Sequence, residues 1–405
     1  MTTRAVASRF VPFGTTIFAE MTALANRHGA VNLSQGFPDF EGPDFIKRAA
    51  ERAMRDRPNQ YGRMQGVDEL NRALSRRWTH DTGQAIDGET QITVTSGCTE
   101  ALAATFLGLL NPGDKVVLIE PFYDCYAAGA AMAGAGVLPV PLRFPPNGAP
   151  SGAPLQIDEG ELRAAFAQRP RAIVVNTPHN PTGKVFSRAE LELIARLCVD
   201  HDVVAITDEV YEWLTFEPEL PHIRLATLPG MAERTITLSS LGKTFSLTGW
   251  KVGWAVASPE LTRAVRAAHQ FLVFCAPVPL QHAAAEAIEV GGEGERAARQ
   301  LAIDLRERRD FLAGVLRGCG FRLFPSPGSY FIVADHSGLA APGLPDGLDD
   351  VAMSRWLTTE VGVATIPCSA FYADRSIPRT LLRFTFGKRR ETLEAAAQRL
   401  QRLRS

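Results

Sequence analysis

Residues 235–254 read TITLSSLGKTFSLTGWKVGW, and their reading decides the fold. Thr235, Ile236, Thr237 and Leu238 alternate as a strand does, Ser239 and Ser240 end the run, Gly242 turns the chain, and Lys243 follows. The pattern predicts one amine held at the mouth of a sheet. A phosphate-cradling P-loop is excluded, because it needs a glycine five residues ahead of Gly242 and position 237 is Thr. A solvated surface lysine is the plainer reading. Against it, lysine stands only at 47, 115, 184, 243, 251 and 388, and two of these fall in this stretch among Ser, Thr, Gly and Trp. That setting suits a partly desolvated amine able to form a Schiff base.

Upstream, short apolar runs recur at helical spacings: QITVTSG at 91–97, DKVVLIEP at 114–121, AGVLPVPL at 135–142, AIVVNTP at 172–178 and VVAITDE at 203–209. With TITLSS at 235–240 they predict a mostly parallel sheet buried on both faces, hence an α/β domain. Helices are expected over 16–28, 44–57 and 67–80. Beyond Leu280 the pattern changes to a long amphipathic run over 293–316, short strands at 321–324, 330–334 and 381–386, and helices near 350–360 and from Arg390. That looser order predicts a smaller α+β domain. The expected division is an N-terminal arm with part of the small domain over 1–45, a large domain over 46–285 and the small domain over 286–405. Pro/Gly-rich loops at 144–154 and 338–347 are expected as surface excursions.

A chain of 405 residues suits two domains, at about 150 residues each on a soft prior. A formal charge of -1 shows no basic bias, so nucleic acid is not expected as a partner. The 45% hydrophobic content allows a sizeable core. The N-terminus lacks the basic start and apolar run of a secretory signal. The most apolar stretch, 127–142, is broken by Pro139 and falls short of the roughly 18 residues a membrane span needs. It reads as a helix turning into a strand at Val137, so no membrane partner is expected. Six scattered cysteines without a CxxC pattern suit reduced thiols in a cytoplasmic protein, and no metal is expected.

Open parallel sheets bind ligands outside the carboxyl ends of their strands. There the sequence delivers Gly97, Cys98 and Thr99 before the helical run EALAATFLGLL, then Tyr123, then Asn176 and Asn180 in NTPHNPTG, then Asp208 and Tyr211, then Ser240 and Lys243, with Lys251 just beyond. Pyridoxal phosphate has a use for all of them. Asp208 suits the pyridine nitrogen, which it would keep protonated. Asn180 and Tyr211 suit the 3' oxygen, Tyr123 the ring face, and the Gly97 turn, Thr99, Ser240 and Lys251 the phosphate. Each has a plainer reading: Asp208 as a helix N-cap, Tyr123 as core, Asn180 as a turn residue. Their coincidence at one end of one sheet favours the cofactor. A nicotinamide dehydrogenase would need GxGxxG between a first strand and its helix, and the nearest approach, Gly134 to Gly136, precedes a strand.

NLSQGFPDF at 32–40, NQYGRMQG at 59–66, EPFYDCY at 120–126, NTPHNPTGKVFS at 176–187, ITDEVYEWLTF at 206–216, SSLGKTFSLTGWKVGW at 239–254, PSPGSYFI at 325–332 and LLRFTF at 381–386 span nearly the whole chain. With these motifs it resembles a fold-type-I pyridoxal-phosphate enzyme of the class I/II aminotransferases, in the branch of kynurenine aminotransferase, glutamine transaminase K and bacterial methionine aminotransferase. The resemblance implies a large domain with a seven-stranded type of sheet. It implies Lys243 as Schiff-base lysine and proton shuttle, Asp208 on the pyridine nitrogen, Asn180 and Tyr211 on the 3' oxygen, Tyr123 as stacking aromatic, and Ser240, Lys251 and the amides of Cys98 and Thr99 on the phosphate. It also implies Arg383 on the substrate α-carboxylate, Gly36 beside it, and Tyr61 on the phosphate of a partner subunit, hence a homodimer with shared sites.

The chain departs from that branch at Cys98 and Thr99, where the kynurenine enzymes have Gly-Tyr, at Phe18, where they have Trp, and in VFCAPVP at 273–279, the segment lent to the partner. Phe18, Tyr123, Phe274 and Phe371 are the expected side-chain pocket, apolar or aromatic, with no motif arginine for a second carboxylate. The expected reaction is ping-pong transfer of the amino group of an L-amino acid such as methionine, glutamine, kynurenine or phenylalanine to a 2-oxo acid. A cysteine-S-conjugate β-lyase would use the same residues. A ligand-sensing regulator on this fold would need an attached DNA-binding domain, and only about 15 residues precede the first expected helix.

Overall fold

The computed structural model describes residues 6–146, 153–377 and 379–404. In chain order it runs α1 (Ile17–His28), β1 (Val31–Asn32), α2 (Asp44–Asp56), α3 (Asp68–Thr82), β2 (Ile92–Thr95), α4 (Gly97–Leu109), β3 (Lys115–Glu120), α5 (Asp124–Ala133), β4 (Gly136–Arg143), β5 (Gln156–Ile157), α6 (Glu159–Phe166), β6 (Ala172–Asn176) and α7 (Arg188–His201). There follow β7 (Val204–Asp208), β8 (Thr235–Ser240), α8 (Leu241–Thr244), β9 (Gly253–Val256), α9 (Pro259–Leu272), α10 (Val278–Ala287) and α11 (Glu293–Gly318). The chain closes with β10 (Arg322–Leu323), β11 (Phe331–Asp335), α12 (Asp350–Trp356), β12 (Val363–Ala364), β13 (Ile366–Pro367), β14 (Leu381–Thr385) and α13 (Arg390–Leu400).

The main sheet has eight strands in the order β2-β9-β8-β7-β6-β3-β4-β5. Strands β4, β3, β6, β7 and β8 are parallel neighbours, and β9 runs antiparallel between β8 and β2. Two corrections to the expected sheet follow. The GWAV segment of β9 is a strand the sequence pattern did not reveal, and the short β5 adds an eighth strand to the expected seven. Because β9 reverses direction, β2 again points the same way as β8, so the carboxyl ends of β2, β3, β6, β7 and β8 share one edge.

Apolar runs place alternate residues on opposite faces. Val117, Ile119, Ile173, Val175 and Ala205 pack against α6 and α7 through Leu162, Phe166, Leu191 and Ile194. Val116, Leu118, Val174, Ile206, Ile236 and Leu238 pack against α4, α5 and α9 through Leu102, Phe106, Tyr126, Leu261 and Val265. Helix α4 packs closely on α9. A Cβ built at Gly108 of α4 would lie 2.0 Å from the Ala264 carbonyl oxygen of α9, so only glycine permits that approach. Gly108→Ala is expected to lose about 2 kcal/mol of stability or more, as overpacking does, and to lower the thermal midpoint by roughly 2 °C or more in a melt. An unchanged midpoint would mean that the helices part at no cost.

A second sheet of four strands, β10-β11-β14-β13, is built wholly from residues after 320. The N-terminal segment joins that end of the molecule through β1, which pairs in parallel with β12. The helix expected near 350–360 stops at Trp356 and continues as a wider turn over Leu357–Val361. The loop expected over 144–154 lies partly outside the described residues. No described helix is long and apolar enough to cross a membrane.

Candidate active site

A cavity of about 670 Å³ opens at the shared strand edge. Its walls include Phe18, Gly36, Gly97, Cys98, Thr99, Tyr123, Asn180, Asp208, Tyr211, Ser240, Lys243, Lys251 and Arg383. Lys243 stands on the single helical turn α8, directly after β8. A Cβ at Gly242 would come 3.2 Å from Thr248 Cα, so the turn passes close to the chain that follows it. Lys243 Nζ donates to the Gly36 carbonyl at 3.3 Å and lies 5.8 Å from the ring centres of both Tyr211 and Tyr330. No ion pair engages it among the described residues. The amine is therefore presented to the cavity with little to hold it elsewhere.

Asp208 ends β7, in register with Asn176 of β6 and Leu238 of β8. Burial pushes its carboxyl above the usual range, and the donors Tyr126 and Val210, with the charge of Lys243, act the other way. Tyr126 Oη donates to Asp208 Oδ2 at 2.7 Å, and the Val210 amide to Oδ1 at 3.3 Å. Asn176 donates to the Asp208 carbonyl at 2.8 Å and accepts the Asn180 amide at 2.7 Å, which fixes the turn carrying Asn180. Residues 209–213 form a turn and no helix, so the plainer reading of Asp208 as a helix N-cap does not hold. The hydroxyl of Tyr211 is pushed well up by burial, next by Tyr330, whose ring it meets edge-on at 5.1 Å. Tyr330 itself donates to the Gly36 carbonyl at 2.6 Å.

Arg383 comes from β14 of the second sheet and is buried. Nη1 donates to Asn180 Oδ1 at 2.9 Å and Nη2 to the Ser34 carbonyl at 2.8 Å, while Nε has no partner. Phe331, Phe371 and Phe18 surround its guanidinium at 4.2, 5.1 and 5.3 Å. Burial pushes the guanidinium down to about 10, still far above neutrality, so it remains a cation. Phe371 is buried behind Phe18, their rings edge to face at 5.7 Å, and Phe18 forms the wall itself.

At the other end, Gly97 takes a positive φ of 74°, and a Cβ there would sit 3.1 Å from Lys251 Nζ. Gly253 approaches the Gly97 carbonyl carbon so closely that its own Cβ would lie 2.6 Å away. Two glycines thus bring the turn before α4 down beside Lys251. Lys251 Nζ reaches Thr99 Oγ1 at 3.5 Å. The amides of α4 and this ammonium converge where an anion would be held. Burial pushes the Cys98 thiol up, and that of Cys125 to about 11, so both stay neutral thiols.

Tyr61 and Phe274 lie outside this cavity. They stack edge to face at 5.5 Å, and Tyr61 is 87% exposed and Phe274 41%. Tyr126, Tyr330 and Ser34 are not among the residues the sequence pattern singles out. For Tyr126 a signal existed, since it follows Tyr123 by one helical turn of α5 and so shares its face. Tyr330 and Ser34 carried none, because they arrive from distant segments. Glu209, Glu212 and His222 also come together away from the cavity, with Arg224 bonded to both carboxylates.

A family model described as "Aminotransferase class I and II" matches residues 28–400. The chain is 45% identical to a probable N-succinyldiaminopimelate aminotransferase of Mycobacterium tuberculosis over 97% of both chains, and 37% identical to the methionine aminotransferase of Escherichia coli over 98% of both. It is 38% identical to kynurenine–oxoglutarate transaminase 1 of Rattus norvegicus over 99% of both. The solved N-succinyldiaminopimelate aminotransferase from Mycobacterium tuberculosis superposes with a TM-score of 0.91 at 45% identity, covering 98% of this chain and 100% of that one. A solved E. coli methionine aminotransferase gives 0.89 at 37% identity, covering 98% and 99%. The chain belongs to the class I and II aminotransferases and has their fold-type-I architecture. Within that family it stands in the branch that includes methionine and kynurenine aminotransferases.

Proposed function

We propose that this enzyme holds pyridoxal phosphate in the cavity and transfers the amino group of an L-amino acid with an apolar, aromatic, sulfur or amide side chain to a 2-oxo acid by a ping-pong route. The observation that carries it is the meeting in one cavity of Lys243, Asp208 and the buried guanidinium of Arg383. The donor set fits the cofactor: a buried carboxylate, an amine without an ion-pair partner among the described residues, an aromatic wall, and a cradle at Gly97 whose positive φ disfavours any side chain. Bound there, pyridoxal phosphate would supply the electron sink for the bond broken at the substrate Cα.

The chain's residues do the rest. Asp208 would hold a proton on the pyridine nitrogen, itself steadied by Tyr126 and the Val210 amide. Asn180 and Tyr211 would donate to the 3' oxygen, and Tyr123 would cover the ring face. The amides of Cys98 and Thr99, with Ser240 and Lys251, would take the phosphate. Lys243 Nζ would hold the cofactor until the substrate amine displaces it, and the freed amine would then take the proton from the substrate Cα and return it. Arg383 would bind the α-carboxylate, with Gly36 beside it. Tyr61 and Phe274, exposed together in a single chain, suit a homodimer in which each serves the partner's site.

Lys243, Lys251 and Arg383 are the cations among the described lining residues, and all three have a role, which favours a donor with one carboxylate. The 45% identity to a probable N-succinyldiaminopimelate aminotransferase favours a second reading, the same transfer on that polycarboxylate. A spectral titration separates the readings. Conversion of the cofactor absorbance by methionine, glutamine, kynurenine or phenylalanine, reversed by a 2-oxo acid, supports the first. Response only to N-succinyldiaminopimelate supports the second. Pyruvate released from a cysteine S-conjugate, with the absorbance unchanged, would make the main activity a β-lyase.

Tyr126→Phe removes the one side-chain hydroxyl that donates to Asp208 Oδ2. A hydrogen bond to a charged group contributes about 1.5–3 kcal/mol, so kcat should fall roughly tenfold or more. A kcat within twofold of wild type would mean that the hydroxyl does not help Asp208.

A further inference from the structure

His269 fastens two segments through its imidazole and a third through its backbone carbonyl. His269, near the end of α9, is fully buried with both ring nitrogens engaged. Nδ1 lies 3.0 and 3.1 Å from the two carboxylate oxygens of Glu100, and Nε2 lies 3.0 Å from the Met64 carbonyl oxygen. A carbonyl only accepts, so Nε2 must donate, and a further proton lies between Nδ1 and Glu100. Glu100 also accepts the Ser96 amide at 3.1 Å, closing the turn that presents Gly97, Cys98 and Thr99. Met64 belongs to the segment that carries Tyr61. The His269 carbonyl accepts the amides of Val273 and Phe274, each at 3.1 Å.

Glu100 stands in the first turn of α4, one residue beyond Thr99. A dianionic phosphate held by the amides of that turn would meet an adjacent carboxylate whose side chain is only 10% exposed. With nothing to balance it, that carboxylate would repel the phosphate through a low-dielectric interior. The imidazole is the group in contact that can answer the charge. We infer that His269 is a positioning residue for the cofactor phosphate, cancelling the charge of Glu100 and locking the 96–99 turn against the segment that carries Tyr61. The inference rests on the cofactor site proposed above.

The test is titration of the cofactor-free protein with pyridoxal phosphate, followed by absorbance. His269→Gln keeps an N–H able to reach toward Met64 but brings no charge, and should weaken binding about tenfold or more. Glu100→Gln in the same chain removes the uncompensated carboxylate, so the double variant should recover to within about threefold of wild type. A structural defect would not be repaired by a second substitution in the same buried pair. The KM for the amino donor at saturating cofactor should stay within about twofold, because Arg383 lies at the other end of the cavity.

His269→Gln binding as tightly as wild type, or a double variant no tighter than the single one, would overturn the inference. Should the single variant fail to fold, Glu100→Gln suffices, since it should bind at least as tightly as wild type and weaker binding overturns the electrostatic role. A wild-type protein that takes up no pyridoxal phosphate would overturn the cofactor reading itself. Wild-type uptake matched by His269→Gln would overturn only the role of His269.

Discussion

Lys243→Ala is expected to abolish multiple turnover, with a loss in kcat on the order of 10⁴-fold or more, while the protein stays folded. On the proposed function two roles would fall on this one amine, the covalent link to the cofactor and the proton transfer at the substrate Cα, and no other amine lies beside it among the described residues. Lys251, the other lysine of the wall, is at the phosphate end against Thr99. The fold should survive because Lys243 makes a single hydrogen bond among the described residues, to the Gly36 carbonyl at 3.3 Å, and is half-buried. Lys243→Arg should be as inactive, since a guanidinium keeps the charge but is not a nucleophile. Steady-state turnover within tenfold of wild type in either variant would remove Lys243 from the chemistry.

Arg383→Ala is expected to raise KM for amino acids by a factor on the order of 10², with kcat/KM falling at least as far. The guanidinium is held on two sides, by Asn180 Oδ1 and the Ser34 carbonyl, so its remaining N–H edge is aimed before any substrate arrives. Three phenylalanine rings around it keep water from competing for that edge. Preorganised this way, the ion pair with a carboxylate forms at little entropic cost. Arg383→Lys should recover little, because a single ammonium cannot bond Asn180, Ser34 and two carboxylate oxygens at once. An unchanged KM in steady-state assays would transfer the carboxylate to another group.

The parallel strands were legible because a strand buried on both faces must be apolar along its whole length, and Val116 to Ile119, Ile173 to Val175 and Val204 to Ile206 are. Asp208 and Lys243 were legible as polar residues that interrupt such runs at their carboxyl ends. Strand β9 was not, since four residues that begin with Gly253 and are soon followed by a proline-led helix carry too little pattern of their own. Its place between β8 and β2 depends on pairing with both. Arg383 was legible from its motif and Asn180 from its turn, yet nothing local showed that the two would meet, or that Ser34 would join them.

The sequence by itself determined the alternation of strand and helix, the edge at which the polar residues collect and the residue types that collect there. These follow from periodicity, capping and turn chemistry acting over a few residues at a time. Only the tertiary structure decided how those groups are held. The Tyr126 hydroxyl on Asp208 joins residues 82 apart, the Arg383 bond to Ser34 joins residues 349 apart, and the His269 imidazole joins Glu100 and Met64 at separations of 169 and 205. Such contacts depend on how whole elements cross in space, because a hydrogen bond is set by distances of about 3 Å that no local pattern specifies.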